Sequence, residues 1–221
     1  MPAHPRIALI HATPVAVDPI RDALAAGWPE ARPVNILDDS LTPDRAEAEE
    51  ISPTLTERIV ELASYARRIG SDGVLFTCSA FGSAIETAAS LLDVPVLKPN
   101  EAMFEAAIGK GQNAAMIVTF PPARASMEAE FAEEAQRLGA NATLTSIVAE
   151  AAMTALRAGD ADTHNRLVAE AACGLVGFDT IVLAHFSTAR AADAVRRVID
   201  IPVLTSPDAA VAKLRRLITG S

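Results

Sequence analysis

Short apolar runs alternate along this chain with longer stretches in which apolar residues recur every three to four positions. The runs at 7–10, 34–37, 74–76, 94–97, 114–118, 142–148, 180–183 and 201–204 have the length and β-branched content of buried strands. The stretches at 18–26, 53–69, 83–92, 100–108, 124–138, 162–175, 188–199 and 207–218 have the period of amphipathic helices. Asp18 is placed to cap the first helix with Pro19 in its first turn, and Gly70, Gly109 and Gly139 are placed to stop others. Residues 41–52 are acidic and irregular, and Glu47, Glu49 and Glu50 read as a solvated loop, a short helix or a lid. Strands alternating with helices predict an α/β fold with parallel sheets.

The pattern starts again near its middle. Shifted by 107 residues, the chain superimposes on itself without a gap from Asp72 to Phe104, with seven identities in 33 pairs. The identities are modest for an alanine-rich chain. The order of features is the stronger signal: strand, turn, helix, then Asp-X-Pro-Val-Leu at both Asp93 and Asp200. A shift of 108 places the run from Ile10 to Pro14 on that from Val118 to Pro122, which would pair His11 with Thr119. Two similar halves are therefore expected, residues 1–98 with 207–221 and residues 99–206, each with a parallel sheet of about four strands.

The run 74–76 leads through Thr77 into Cys78, small residues and a helix start, so the thiol sits at a strand's carboxyl end. Open α/β sheets bind ligands at that edge, and the N–H groups at a helix start favour a thiolate. The shift of 107 places His185 on Cys78. If the halves face each other about a pseudo-twofold axis, a thiol and an imidazole flank one cleft.

Composition narrows the partners. A net charge of −9 without a basic cluster argues against nucleic acid and anionic membranes. No apolar run is long enough to span a bilayer, and the start is too short and polar for a signal peptide. Two cysteines far apart make no disulfide framework, so free thiols and a cytoplasmic location are expected. No Cys/His spacing suits a metal.

With Cys78-Ser79-Ala80 and Ala184-His185-Phe186 standing in equivalent turns of two α/β halves, the chain resembles the aspartate/glutamate/hydantoin racemase superfamily, with its maleate isomerase and arylmalonate decarboxylase branches. The resemblance covers essentially the whole chain. It implies two pseudo-symmetric flavodoxin-like domains with parallel sheets, the active site in the cleft between them, and catalysis without a cofactor. Racemase members use one cysteine from each half as acid/base residues, in Cys-Asn-Thr-like and Gly-Cys-Thr- or Gly-Cys-Ala-like turns. Here the first cysteine is kept as Cys78 and the second is replaced by His185.

The resemblance further implies that Ser79, the Ala80 amide, Thr119, Phe186 and Ser187 hold a substrate carboxylate, with His11 and Thr13 on the same edge. The expected activity is racemisation or isomerisation of a small carboxylate, amino acid or cyclic amide such as a hydantoin. A cysteine-dependent decarboxylase or hydrolase, or a non-enzymatic binder of small acids, is the alternative. The decarboxylase branch normally keeps the cysteine of the second half, not the first. Family members are often dimers or larger, which allows a homo-oligomer.

Other residues read as structural. Cys173 is expected in the core of an apolar helix, and His4 and His164 on the surface. Lys98 is expected to pair with Glu101 or Asp208 or to attract an anionic substrate. Asp38 and Asp39 are expected at a solvated turn or the cleft entrance.

Overall fold

The structure, a computed structural model, describes residues 4–47 and 50–220. It divides into two compact units, Met1–Pro99 with Ala210–Ser221, and Asn100–Ala209. In chain order the first unit holds β1 (Arg6–His11), α1 (Val17–Gly27), β2 (Arg32–Leu37), α2 (Leu41–Ala46), α3 (Pro53–Arg68), β3 (Gly73–Phe76), α4 (Gly82–Leu91) and β4 (Val96–Leu97). The second holds α5 (Glu101–Ile108), β5 (Asn113–Val118), α6 (Arg124–Arg137), β6 (Thr143–Val148), α7 (Ala152–Arg157), α8 (Ala161–Ala172), β7 (Thr180–Leu183), α9 (Ala192–Arg196) and β8 (Val203–Thr205). The last helix, α10 (Ser206–Thr219), begins in the second unit and ends in the first.

Each unit is a four-stranded parallel sheet, ordered β2-β1-β3-β4 in the first and β6-β5-β7-β8 in the second. The central strands are apolar because helices cover both their faces. In the second unit Ala115, Ile117, Ile181 and Leu183 pack with residues of α8 and α9, while Ala114, Met116, Val118 and Val182 pack with α5 and α6. In the first, Ala8, Ile10, Val74 and Phe76 pack against Leu55, Ile59 and Ala63 of α3 and Ala84, Ile85 and Ala88 of α4. β2 is an edge strand and alternates between exposed and half-buried residues, as a one-sided strand should.

Strand register extends the repeat and corrects part of it. Ile7 pairs with Gly73 as Ala114 pairs with Thr180, and Val74 with Val96 as Ile181 with Val203, so these strands all match at a shift of 107. The 3-10 turns Pro14–Ala16 and Pro121–Ala123 obey the same shift. His11 therefore corresponds to Val118, and Thr119 to Ala12; the shift of 108 was one residue too long. A one-residue slip matters because it sends each side chain to the opposite face of the sheet. Between β1 and β2 the two halves differ by four residues, since Arg6 pairs with Arg32 but Asn113 with Thr143; α6 is the longer helix.

An aspartate ties each repeat together. Asp72 Oδ2 accepts the Arg6 N–H at 2.8 Å, and the Asp72 N–H donates to the Arg6 carbonyl at 2.8 Å. Asp179 does the same with Asn113, at 2.9 and 2.8 Å. A side chain at Gly111 would lie 2.2 Å from Asp179 Oδ2, so this clasp requires glycine there.

Several local expectations change. Asp18 is not the cap of α1; that helix grows out of the turn Pro14–Ala16, and Asp18 pairs with Arg21 at 2.8 Å. Gly109 has φ −68 and ends α5 without the left-handed conformation that Gly70 and Gly139 adopt. Of the acidic stretch, Leu41–Ala46 forms α2, a short helix as one of its expected forms, with Leu41 buried, while Glu47 and Glu50 lie beyond the helix; Glu49 lies outside the described residues, as does the start of the chain. α7 had no counterpart among the expected helices. The stretch 188–199 begins as the 3-10 turn Phe186–Ala191, and only Ala192–Arg196 is α-helical. Among the described residues no helix is long and apolar enough to cross a membrane.

Candidate active site

In a sheet ordered 2-1-3-4 the connections diverge between the first and third strands, which leaves an opening at their carboxyl ends. In the first unit that point is flanked by His11 and Cys78, and in the second by Thr119 and His185.

In the first unit the Thr77 N–H donates to the Ile10 carbonyl at 3.0 Å and extends the ladder one residue beyond β3. His11 is fully buried, with Nε2 2.9 Å from Asn35 Oδ1 and Nδ1 2.9 Å from Thr77 Oγ1. Since the Asn35 oxygen accepts, Nε2 carries the proton and Nδ1 accepts from Thr77. Burial pushes the His11 pKa down and the Asn35 contact only partly opposes it, so this ring is neutral. Both ring nitrogens are engaged inside the sheet. Thr77, one residue from the thiol, is thereby held in place.

Cys78 has extended backbone, φ −123 and ψ 124, and precedes the 3-10 turn Ser79–Phe81. That turn inserts three residues between the thiol and α4, so Cys78 does not sit on the α-helix N-terminus that would favour a thiolate. Burial pushes the Cys78 pKa up, and hydrogen bonding from the Ala80 backbone opposes it only in part. The resting group is a thiol, contrary to the charge expected from the strand–turn–helix pattern. Ser79 is half-buried and Ala80 exposed at its side, and Thr13 is half-buried with extended backbone ahead of Pro14–Ala16.

α2 closes over this edge. Thr42 donates to the Ala12 carbonyl at 2.7 Å, and Arg45 Nε to the Ala80 carbonyl at 3.2 Å. Arg58 of α3 bonds Asp38 at 2.7 Å, Ser40 at 2.6 Å and also Asp44. Asp38 is thus committed to an ion pair, and Lys98 pairs with Glu86 at 2.6 Å.

The second unit builds the same edge differently. His185 ends the extension of β7 with φ 70 and ψ 147, a region that non-glycine residues occupy at a cost of about 1–3 kcal/mol. Its Nδ1 is buried with no hydrogen-bond partner among the described residues. Burial lowers the pKa to about 4, and the Ala184 backbone offsets this only in part. The resting imidazole is neutral. Phe186, Ser187 and Thr188 are buried in the following turn. Thr119 Oγ1 lies 3.2 Å from Thr188 Oγ1, and Arg190 Nε donates to the Ser187 carbonyl at 3.2 Å.

Two residues expected elsewhere exchange places. His164 is fully buried in α8, whereas Cys173 is exposed just beyond the helix end. The apolar run obscured the phase of the helix: its buried face is His164, Val168, Ala169 and Ala172. Thr77, Asn35, Thr188 and Arg45 were not singled out from sequence. Asn35 alone carried a signal, as a polar residue inside an apolar strand. No group of three or more His, Cys, Asp or Glu among the described residues could hold a metal ion.

The fold and its paired edges define an α/β protein of two repeated parallel-sheet units, with a thiol beyond the carboxyl end of the third strand of one and an imidazole at the equivalent place in the other. A sequence model of the Asp/Glu/Hydantoin racemase family matches residues 10–177, and the chain belongs to that family. It is an enzyme of the isomerase type. Solved structures agree in fold. Allantoin racemase from Klebsiella pneumoniae is 20% identical with a TM-score of 0.73, over 97% of this chain and 88% of that one. Picrophilus torridus aspartate racemase is 16% identical with a TM-score of 0.71, over 96% and 93%. A glycine-to-cysteine mutant of arylmalonate decarboxylase, in a sulfate-associated form, is 18% identical with a TM-score of 0.70, over 98% and 94%. No curated protein sequence matches the chain.

Proposed function

We propose that this chain is a cofactor-independent racemase or isomerase of a small carboxylate, amino acid or hydantoin-like cyclic amide, with Cys78 and His185 as its two acid/base groups. The observation that carries this reading is the register equivalence of the two residues, each two beyond the last residue of its strand. Their resting states are complementary, a thiol that can give a proton and a neutral imidazole that can take one.

In this reading His185 removes the proton from the carbon next to the carboxyl group. The C–H electron pair moves into the carboxyl as an enediolate, and the Cys78 S–H delivers its proton to the other face. The product leaves behind a thiolate and an imidazolium. Burial disfavours both charges, so exchange with solvent returns the pair to thiol and imidazole. Ser79, the Ala80 amide, Thr13, Thr119, Phe186 and Ser187 hold the carboxylate, and amides and hydroxyls aimed at the enediolate oxygens lower its energy. His11 contributes by ordering Thr77 beside the thiol.

The test is incubation with amino acids, hydantoins and malonates in deuterated water. Solvent deuterium at the α-carbon is expected with the native enzyme, and a loss of at least about a hundredfold in both Cys78→Ala and His185→Ala. Exchange that survives both substitutions would overturn the assignment. One observation favours a second reading. A thiol held protonated is also the donor that a decarboxylase needs, and carbon dioxide release from malonates dependent on Cys78 but not on His185 would establish that reaction instead.

A further inference from the structure

His164 is the one buried histidine without a place in the proposed reaction or in the first unit's edge. It is fully buried in the first turn of α8. Nδ1 lies 2.9 Å from Asn165 Oδ1, so Nδ1 carries the proton and Nε2 presents a lone pair. That Nε2 is buried and has no partner among the described residues. An acceptor left unfilled in the interior costs about 1–3 kcal/mol, and the corresponding helix of the other half buries no histidine. The first buried residue of α3 is Leu55, followed by buried residues four and eight positions on; the first of α8 is His164, followed likewise by Val168 and Ala172. The buried face of α3 thus opens with leucine, and that of α8, in the half that carries His185, opens with a titratable ring.

The position bears on the His185 turn. α8 packs against Phe186–Ala191, the 3-10 turn that begins immediately after His185. Arg190 of this turn donates to the Ser187 carbonyl, and the Thr188 N–H donates to the His185 carbonyl. Arg190 is also the charge that acts on His164. The other charged groups on elements packed against α8 are engaged elsewhere: Arg157 of α7 lies over the Phe120 ring, and Asp193 and Arg196 of α9 pair with each other. β5 carries no titratable side chain. On α8 itself Arg166 pairs with Glu170, and Asp162 stands in the first turn with a half-buried side chain.

We propose that His164 is a positioning residue for the His185 turn, supporting Phe186–Ala191 as a neutral imidazole and loosening that turn when it is protonated beside Arg190. A positive charge on the buried ring would repel the Arg190 guanidinium, which holds the turn's backbone through the Ser187 carbonyl. Burial and Arg190 both lower the His164 pKa, so the neutral ring persists at neutral pH. The proposal rests on His185 as an acid/base group for its catalytic consequence, and on geometry within the second unit for the rest.

The experiment is an NMR pH titration of the full chain, together with α-hydrogen exchange, for the native protein, His164→Leu and His164→Gln. Leucine copies the other half, and glutamine keeps an amide acceptor without a titratable ring. In the native protein the Phe186–Ala191 amides are expected to shift as pH falls, with the midpoint of the His164 ring. Both variants are expected to lose that transition. His164→Leu is expected to lower kcat for exchange about tenfold with KM within about twofold, the pattern of a displaced acid/base group, and His164→Gln to restore most of it. Amides that do not titrate with His164, or that titrate unchanged in either variant, would overturn the proposal. Failure of the reaction assignment reads differently: exchange would then be indifferent to His185→Ala while the amide titration stands.

Discussion

The Cys78 and His185 turns occupy equivalent places in the two units and are built on opposite terms. The first is relaxed, with extended backbone at Cys78, a neighbouring threonine held by a satisfied histidine, and α2 pinned across it. The second is strained, with a non-glycine residue at φ 70 and a buried ring nitrogen that has no partner. Strain and unsatisfied polar groups persist only where the surrounding structure over-determines them, and they concentrate at functional sites. The contrast teaches that a repeat can conserve backbone register while its copies carry different side chains in different environments. One turn keeps a proton on sulfur, the other keeps one off nitrogen, and burial does both because it penalises whichever form is charged.

The largest expected effect breaks the chemistry on one side at a time. Cys78→Ala and His185→Ala should each lower α-hydrogen exchange by about 10²–10⁴-fold, read as deuterium incorporation. A much smaller effect of one than of the other would show that the halves do not share the work. The pH profile sharpens the same comparison. A base that protonates only at about 4 and a thiol that ionises above its ordinary range predict a broad plateau of kcat/KM, falling on the acid side near 4.

Stability should respond to the same groups. The folded pKa values of His11, His164 and His185 all lie below the unfolded value, so the unfolded chain takes up protons first. Stability is therefore greatest above pH about 6.5 and declines as pH falls towards 4, where the His185 contribution levels off. Urea unfolding between pH 7.5 and 4 should show a midpoint that drops with acid, and less so in His185→Gly. At neutral pH that glycine variant should be more stable by about 1 kcal/mol, since glycine accepts φ 70 without the steric cost, while Cys78→Gly should lose stability. Equal changes in the two would deny that strain is confined to one side.

The smallest effect concerns the thiols. In the native state Cys173, exposed, should be alkylated well before Cys78, whose burial keeps it protonated. Peptide mass spectrometry after a short exposure to iodoacetamide reads this, and faster labelling of Cys78 would contradict the resting thiol.

Much of this was legible in the chain itself, for identifiable reasons. Parallel central strands are buried on both faces, so 74–76 and 114–118 read as apolar runs. Helix ends with left-handed glycines, such as Gly70 and Gly139, announced themselves. α7 did not, because it starts from Ala151 in a left-handed conformation with no capping side chain. The phase of α8 was hidden in a run of alanines and aliphatics, which reversed the expected places of Cys173 and His164. The pairing of His11 with Thr119 missed by one residue because short β-strand motifs align almost as well one step out of register.

The amino-acid sequence alone determined the α/β class, the 107-residue repeat and the placing of His185 opposite Cys78 within it. These depend on residue type and spacing, which a linear chain records. Only the tertiary structure decided that Cys78 rests as a thiol, that His185 is a neutral and strained imidazole, and that His164 is buried in the helix packed against its turn. Protonation and backbone strain depend on burial, and burial is set by helices and strands distant in the chain, whose packing no local pattern specifies.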